Sequence, residues 1–302
     1  MYISEPEVRA VLRYEVLIPA IRQALIDYSA GRAVQPARTI LRAGNAEGHD
    51  NGWFAAMPAI AGDVMGVKTV TFYPSNARLG LPTHMAVIAL LRRSTGEPLA
   101  VMDGRLITEM RTAAVSAVAL DALAGPGVRS LGILGSGVQA RAHLEAFRVV
   151  RPQLDEVRVW SRTAAHAERL AAETGARAVP IEEAACADVV LTVTSSTEPV
   201  LEGRWLAPHA VILAVGATGA TLRELDDETM LSSFLVAESQ SCAERESGDV
   251  LRSGAKVQAE IGQLLSGTVA APAGRRILFK SVGMAIEDLA AARLVWAARG
   301  GR

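Results

Sequence analysis

The chain has 302 residues, of which 50% are hydrophobic, and a formal net charge of −1, so it can form a large core or two domains. The near-neutral charge does not favour a nucleic acid or an anionic membrane surface as a partner, and no uncharged apolar run is long enough to span a bilayer. Two distant cysteines, scattered histidines and an N-terminus without a signal-peptide pattern predict a cytoplasmic protein without a metal site.

The N-terminal third of the chain combines a helix with several short strands. A helix is predicted over residues 5–28, with a break or kink at Pro19. Strand-like runs follow, joined by short turns such as Gly44-Asn45 and Gly62-Asp63, which is typical of a mainly antiparallel sheet. The predicted strands are residues 39–43, 53–57, 66–73, 85–91 and 98–102. We therefore expect an α+β domain in this region.

Lys68 interrupts the apolar face of one of these strands. With a period of two residues, it shares a face with Val70 and Phe72. Partial desolvation on such a face lowers the pKa of a lysine and suits it to proton transfer or to carbonyl and imine chemistry. The alternative interpretation is an edge-strand lysine that prevents aggregation, and the pattern supports both equally.

A polar stripe marks the next predicted helix, residues 107–123. Thr108, Arg111 and Thr112 fall on one helix face, among small apolar residues. The guanidinium of Arg111 could bind a substrate carboxylate through two parallel hydrogen bonds, or it could form a buried structural pair with an acid. Arg42 shares a strand face with Ile40 and suggests carboxylate binding more weakly.

The segment Gly135-Ser136-Gly137-Val138-Gln139-Ala140 follows an apolar strand and precedes a helix-forming stretch. This is the arrangement that binds the pyrophosphate of a dinucleotide. Gly135 allows the tight turn, and Gly137 lets the backbone approach the phosphate. The amides and the positive dipole end of the following helix then face the anion. We therefore predict a dinucleotide site formed by Gly135, Ser136, Gly137, Val138 and Gln139.

The second strand of this region predicts which dinucleotide is bound. An NAD site usually has a carboxylate roughly 20 residues after the glycines, where it binds the ribose 2′-hydroxyl. This chain has Ser161-Arg162-Thr163 at the strand end instead. One guanidinium and two hydroxyls suit a 2′-phosphate, so NADPH or NADP is expected and NAD is disfavoured. Alternatively, Arg162 is an ordinary solvated residue.

Strands and helices alternate from about residue 130 onward. The predicted strands are residues 131–134, 157–160, 177–179, 189–194, 211–215, 234–237 and 277–280. Alternation of this kind predicts a Rossmann-type, doubly wound parallel sheet, and hence an α/β protein. Thr194 would lie at the carboxyl edge of that sheet, where ligands bind. Glu287-Asp288 begins the last predicted helix, and we interpret these acids as complements of the helix dipole rather than as catalytic groups.

These segments resemble the ornithine cyclodeaminase/mu-crystallin family. In the first region the similarity lies in residues 57–59, 67–73, 96–104 and 107–117. In the second region it lies in residues 134–140, 160–163, 216–226 and 279–288. Because the matches follow the family's order across nearly the whole chain, the chain is identified as a member of the family.

The resemblance implies a homodimer of two-domain subunits. Residues 1–112 and 288–302 would form the dimerisation and substrate domain, and residues 113–287 the NADP-binding Rossmann domain. Lys68 and Arg111 would correspond to the family's catalytic residues. The implied substrate contacts are Arg42, Met57 and Thr218. The implied cofactor contacts outside the glycine turn and Ser161-Arg162-Thr163 are Thr108, Thr112, Thr194, Val282 and Gly283.

Two departures distinguish this chain from the ornithine cyclodeaminases of the family. Those enzymes carry a catalytic aspartate where this chain has Thr218, and an acid shortly before Met57, where this chain has Ala55. Both acids would suit the second ammonium group of ornithine. The resemblance is therefore closer to the mu-crystallin-like members, which resemble NADP-linked ketimine reductases.

The expected activity is NADPH-dependent reduction of a small, anionic cyclic ketimine. The substrate would be Δ1-pyrroline-2-carboxylate or Δ1-piperideine-2-carboxylate, and the product L-proline or L-pipecolate. An alanine-type amino-acid dehydrogenase would use the same lysine and arginines. Ornithine cyclodeamination is disfavoured by Thr218 and Ala55. A non-catalytic protein that binds NADPH and a small ligand is the alternative outside the enzymes.

Overall fold

The computed structural model describes residues 1–43 and 52–301. These residues form two compact units: unit 1 comprises Met1–Arg111 and Met284–Arg302, and unit 2 comprises Thr112–Gly283. The units divide the chain slightly before each predicted domain boundary. Thr112 therefore belongs to unit 2, and residues 284–287 belong to unit 1. The predicted turn at Gly44-Asn45 lies outside the described residues.

Unit 1 contains a six-stranded sheet. Its strands are β1 (Tyr2–Ile3), β2 (Thr39–Arg42), β3 (Trp53–Ala61), β4 (Val64–Phe72), β5 (His84–Arg92) and β6 (Pro98–Asp103). Their order is β1-β6-β5-β4-β3-β2, and neighbouring strands are antiparallel except for the parallel pair β1 and β6. The predicted α+β character and mainly antiparallel sheet are confirmed.

The predicted N-terminal helix is two helices, α1 (Glu5–Val11) and α2 (Tyr14–Ser29). The helix is not broken at Pro19, so that part of the prediction of a break or kink is wrong. The chain leaves the helical conformation at Leu12 and Arg13, which are both extended, and α2 continues through Pro19. A proline costs one backbone hydrogen bond, but helix stability in a protein comes mainly from packing. The buried α2 residues around the proline include Leu17, Ile18 and Ile21.

Unit 2 contains an eight-stranded parallel sheet. Its strands are β7 (Ser130–Leu134), β8 (Glu156–Trp160), β9 (Arg177–Ala178), β10 (Val189–Thr192), β11 (Val211–Ala214), β12 (Phe234–Ala237), β13 (Ala259–Glu260) and β14 (Ile277–Lys280). Their order is β13-β12-β14-β11-β10-β7-β8-β9. The chain winds outward from β7 to β8 and β9, then returns to β10 on the other side of β7. This reversal is the topological switch point at which doubly wound sheets bind ligands.

Helix α3 (Arg105–Leu123) contains the boundary between the units. The helices of unit 2 after it are α4 (Val138–Val150), α5 (Ala164–Thr174), α6 (Ile181–Ala185), α7 (Asp227–Ser232), α8 (Gln240–Glu246), α9 (Gly248–Ser253) and α10 (Ile261–Leu265). The final helix, α11 (Ala285–Ala298), belongs to unit 1 and packs on α2, β3 and β4. Among the described residues, no helix combines the length and the apolar character needed to cross a membrane.

The core of unit 2 includes a buried histidine, His143 on α4. Its Nδ1 lies 2.8 Å from the Gln139 carbonyl oxygen, and its Nε2 lies 2.9 Å from Ser116 Oγ. Since a carbonyl oxygen only accepts hydrogen bonds, Nδ1 carries the proton and Nε2 accepts from the serine. Burial lowers the pKa of His143 to about 4, so the ring is neutral.

Candidate functional site

The glycine turn after β7 has a shape that suits a dinucleotide. Gly135 has a φ of +124°, and a Cβ there would lie 2.7 Å from the Val193 carbonyl oxygen. At Gly137, the N-cap of α4, a Cβ would meet no described atom within 4 Å. The backbone is therefore open at the helix N-terminus, where the amides of Val138 and Gln139 begin the helix. Helix N-termini of this kind bind phosphate groups, so these residues fit a pyrophosphate.

Side chains after β8 lie next to this turn. Ser136 Oγ donates a hydrogen bond of 2.9 Å to Ser161 Oγ, so the two serines are brought together. Arg162 and Thr163 are exposed, and Thr163 is the N-cap of α5. The ends of β7 and β8 thus present hydroxyls and a guanidinium, which suit the charge of a ribose 2′-phosphate.

The remaining predicted cofactor positions of unit 2 have different surroundings. The Thr194 amide donates a hydrogen bond to the buried carboxylate of Glu224, while Thr218 is exposed. The amides of Val282 and Gly283 donate to Glu238 Oε2, at 3.0 and 2.8 Å. Protein groups already engage these three amides, so a cofactor contact at Thr194, Val282 or Gly283 would use other atoms.

Lys68 is the centre of a buried charged cluster in unit 1. It lies on β4, its side chain is 2% exposed, and its Nζ lies 2.6 Å from Asp288 Oδ2. Burial is the largest influence and lowers the pKa of Lys68 to about 8. Asp288 opposes that decrease, while Arg111 and Arg38 reinforce it. An amine with this pKa can release and regain a proton near neutral pH.

Arg111 joins the same cluster from α3. Its Nε lies 3.1 Å from Asp288 Oδ1, and its Nη1 lies 2.7 Å from Glu287 Oε2. Glu287 Oε2 also accepts from the Met284 amide and so caps α11. The interpretation of these two acids as dipole complements alone was wrong, because both are fully buried against a guanidinium. The alternative of a buried acid pair for Arg111 is therefore realised in this structure.

The positions of the two candidate arginines near β2 differ. Arg42 is exposed at the end of β2, an edge strand, and is paired in register with Trp53. Arg38, which precedes β2, is half-buried and lowers the pKa of Lys68. The charge of Arg38 therefore acts on the lysine, whereas Arg42 is exposed at the end of an edge strand. Sequence reasoning missed Arg38 because strand periodicity was applied only to residues 39–43.

Two further residues lie on the strands next to β4. Met57 on β3 is paired directly with Lys68 in the sheet and is buried, and its contact with substrate stays a prediction. Burial, reinforced by the positive charges of Lys68 and Arg111, lowers the pKa of His84 to about 4. His84 was not predicted, although it shares a strand face with Ala86 and Ile88 and so had the same signal as Lys68.

The polar stripe of α3 is divided between the units. Thr108, which belongs to unit 1 with Arg111, is 8% exposed. Thr112 is also 8% exposed and belongs to unit 2. Within residues 1–43 and 52–301, no group of three or more His, Cys, Asp or Glu side chains is arranged to hold a metal ion.

Comparison with known proteins assigns the chain to a family. The model of the ornithine cyclodeaminase/mu-crystallin family matches residues 1–300. Ketimine reductase mu-crystallin of Mus musculus is 43% identical over 305 residues, covering 98% of this chain and 96% of the mouse protein.

Two solved structures are similar over the whole chain. Thermococcus litoralis Δ1-pyrroline-2-carboxylate reductase in complex with NADH and L-proline is 32% identical with a TM-score of 0.91, covering 100% of this chain and 98% of that one. An archaeal alanine dehydrogenase dimer with bound NAD is 29% identical with a TM-score of 0.93, at the same coverage. This chain belongs to the ornithine cyclodeaminase/mu-crystallin family.

Proposed function

We propose that the protein is an NADPH-dependent reductase of small cyclic ketimine carboxylates. The substrate would be Δ1-pyrroline-2-carboxylate or Δ1-piperideine-2-carboxylate, and the product L-proline or L-pipecolate. The observation that carries the proposal is the buried Lys68, whose pKa is about 8 beside Asp288 and Arg111. Reduction of a C=N bond needs a proton at nitrogen, and this lysine can supply one.

In this proposal, side chains of the protein supply a proton and bind the carboxylate of the substrate. When bound, NADPH supplies the hydride that adds to the imine carbon. The Lys68 ammonium donates a proton toward the ring nitrogen, directly or through one water, and is reprotonated from solvent. Asp288 holds the ammonium at a fixed place through the 2.6 Å contact. The product is the secondary amine, so a hydride and a proton are both accounted for.

Arginine side chains would bind the substrate carboxylate. Glu287 and Asp288 bond two different nitrogens of Arg111 and so fix the plane of its guanidinium. Arg38, rather than Arg42, supplies the second positive charge close to Lys68. A fixed, charged plane lowers the entropy lost when a carboxylate is bound, and orients the imine carbon.

The preference for NADPH is supported by the end of β8. Arg162 and Thr163 are exposed where a carboxylate would bind the ribose of NAD. The similar solved structures contain NADH or NAD, so the choice of cofactor has to be tested directly. We expect a lower Michaelis constant for NADPH than for NADH with the same ketimine.

The proposal is tested by following NADPH oxidation with each ketimine and identifying the amino acid formed. Lys68→Met should lower kcat at least about a hundredfold, the usual scale for losing a general acid. Lys256→Met, which changes an exposed lysine, is the matched control and should leave kcat unchanged. Equal turnover by the wild type and the Lys68 variant would remove this lysine from the mechanism.

The alternatives give different products in the same assay. Amino-acid dehydrogenation is favoured by the similarity to alanine dehydrogenase, and it would appear as alanine formed from pyruvate, ammonia and reduced cofactor. Ammonia released from ornithine in the presence of NAD would indicate cyclodeamination. Tight NADPH binding without turnover of any of these substrates would indicate a binding protein.

We also propose that the protein is a homodimer. Apolar side chains of Met85, Val87 and Val101 are exposed on the face of the unit 1 sheet opposite to Ile88 and Met102. The antiparallel register places Val87 opposite Thr69, so this face continues onto β4. An apolar sheet face of this kind is typical of a subunit interface, and the similar alanine dehydrogenase is a dimer.

A cytoplasmic location remains part of the proposal. Both cysteines are free, with Cys186 exposed and Cys242 buried. Free thiols are usual in a reducing compartment. Fractionation of the source cells with an antibody to the protein would test this location.

A further inference from the structure

A second buried carboxylate, Glu224, lies in unit 2 at the carboxyl ends of β10 and β11. Its Oε1 accepts a hydrogen bond of 2.6 Å from the Thr194 amide. Its Oε2 accepts from Thr192 Oγ1 at 2.8 Å and from the amides of Gly216 and Ala217 at 2.8 and 3.1 Å. One carboxylate therefore links the segments that follow two neighbouring strands.

Gly216 allows these two segments to approach each other. A Cβ at this position would overlap the backbone of Thr194 and would also meet Glu224 Oε1. The amides of Val215 and Gly216 both donate to the Thr192 carbonyl oxygen, at 2.9 and 3.2 Å. The strand pairing thus continues past the strand ends, and the carboxylate occupies the space that a side chain would otherwise fill.

Glu224 is itself held from the opposite side. Asp249 Oδ1 accepts from the amides of Glu224 and Leu225, at 2.8 and 3.0 Å. The other oxygen of Asp249 lies 2.9 Å from Lys280 Nζ at the end of β14. Burial raises the pKa of Glu224, and the charge of Lys280 opposes that increase. The three amides and the Thr192 hydroxyl donate to the carboxylate, and the Thr194 side chain is also hydrogen-bonded to it. Several converging donors are the arrangement that an ionised acid needs.

The network lies on one side of the switch point of the unit 2 sheet. In a doubly wound sheet the adenosine half of a dinucleotide lies toward β8, and the nicotinamide half lies across the switch point, over β10 and β11. Thr194, Gly216, Ala217 and the adjacent Thr218 are on that second side. The amide and hydroxyl donors named above do not come from the turn that faces the pyrophosphate.

We propose that Glu224 is a positioning residue for the nicotinamide half of the cofactor. It fixes the segments after β10 and β11 as one surface, without contacting the substrate or the reacting atoms. The proposal rests on the function proposed above only in its assumption of a nicotinamide cofactor. It predicts that loss of the carboxylate weakens the binding of the nicotinamide half of the cofactor and leaves the binding of the adenosine half unchanged.

The first measurement uses the protein without cofactor. Amide hydrogen exchange of Thr194, Gly216 and Ala217 should be slow in the wild type and at least about tenfold faster in Glu224→Gln. Glutamine has nearly the same shape, but its NH2 group would face amide donors. Glu168→Gln on α5, which changes an exposed glutamate, is the matched control and should leave these rates unchanged. Unchanged exchange in Glu224→Gln would overturn the proposal.

The second measurement separates the two halves of the cofactor. We expect Glu224→Gln to bind NADPH at least about tenfold more weakly while its affinity for 2′,5′-ADP, which lacks the nicotinamide, stays within about twofold. If the wild type prefers NADH, then NADH and ADP-ribose replace this pair. Equal weakening of both ligands would indicate general damage and would overturn the proposal. Neither measurement uses a ketimine, so failure of the proposed reaction would be seen separately.

A milder pair of variants covers the case in which Glu224→Gln does not fold. Thr192→Val removes one donor and leaves the carboxylate its three amide donors, whereas Thr192→Ser keeps the hydroxyl. Thr192→Val should weaken the binding of NADPH relative to that of 2′,5′-ADP by about threefold or more. Thr192→Ser should keep the ratio of the two affinities at its wild-type value. The same ratio in wild type and Thr192→Val would count against the proposal.

Discussion

Lys68 Nζ and Asp288 Oδ2 lie 2.6 Å apart, although the two residues are separated by most of the chain. The lysine belongs to a central strand of the unit 1 sheet, and the aspartate to the first turn of α11. Neither side chain is more than 2% exposed. The pair therefore has a fixed geometry, and burial rather than the aspartate decides the direction of the lysine's pKa shift.

The pH dependence of turnover should reflect this lysine. The pKa of Lys68 is lowered from 10.5 to about 8, so its ammonium form is lost as the pH rises through about 8. If the ammonium is the proton donor, kcat/KM should fall above that pH, because this is the pKa of the enzyme without substrate. In Lys68→Arg this fall in activity at high pH should be absent, because arginine stays protonated throughout. A wild-type profile that is flat to pH values well above 8 would contradict the assignment.

Asp288→Asn should move the fall in activity at high pH to a lower pH. The carboxylate raises the pKa of Lys68, so its removal lowers the pKa further below about 8. The variant should also be less stable, by up to about 3–5 kcal/mol at a pH where Lys68 stays protonated, because the buried ammonium then loses its carboxylate partner. The control is Asp63→Asn, which breaks an exposed ion pair with Arg293, a residue of α11 like Asp288. It should lower the free energy of unfolding by at most about 1 kcal/mol. Denaturant unfolding of both variants and the pH profile of Asp288→Asn provide the comparison.

Arg38 and Arg42 provide a direct test of the carboxylate site. Arg38→Ala should raise the Michaelis constant for the ketimine about tenfold to a hundredfold, the scale of a lost charge-assisted hydrogen bond. Arg42→Ala should leave it unchanged, because Arg42 is exposed on an edge strand. The opposite ranking in steady-state kinetics would restore Arg42 to the site.

Arg162 should decide between the two nicotinamide cofactors. Arg162→Ala removes the guanidinium at the end of β8 and should weaken NADPH about tenfold or more, with little effect on NADH. Arg169→Ala changes an exposed arginine on α5 and is the control. Dissociation constants from fluorescence titration would measure both. Equal losses of NADPH and NADH affinity would show that Arg162 does not recognise the 2′-phosphate.

The sheet face that carries Val87 should be required for dimer formation. Val87→Asp places a charge in the apolar face, and desolvation of that charge opposes association. Val16→Asp on α2 makes the same change at another exposed valine and should leave the assembly unchanged. Light scattering after size-exclusion chromatography would report the masses. A wild type that elutes as a monomer would disprove the dimer.

The local parts of the fold were predictable from the sequence. The strand, glycine turn and helix around Gly135 depend on backbone conformation and short-range periodicity, which a single segment contains. Lys68 was also found locally, because period two placed it on an apolar face that the structure shows to be buried. The break between α1 and α2 at Leu12 and Arg13 was not predictable, because no turn residue marks it. The continuation of α2 through Pro19 was not predictable either, because it depends on the packing of the helix.

The charged partners were not predictable for a different reason. Glu287 and Asp288 look like ordinary first-turn acids, and only the tertiary fold brings α11 against β4 and the start of α3. The approach of Arg38 to Lys68 likewise depends on how the chain enters β2, which periodicity does not describe. Glu224 lies within the family-like segment of residues 216–226, but no role was predicted for it, because its hydrogen bonds to donors from two strand ends form only in the folded chain.

His143 gives unit 2 a built-in sensitivity to acid. Its pKa is about 4 in the folded protein and about 6.5 in an unfolded chain, so between these values the unfolded chain takes up a proton that the folded one refuses. Each pH unit of acidification across that window costs up to about 1.4 kcal/mol of stability. That stability is fully present above pH 6.5 and is lost progressively toward pH 4. Mild acidification, as in low-pH elution during purification, would therefore lower the stability of unit 2.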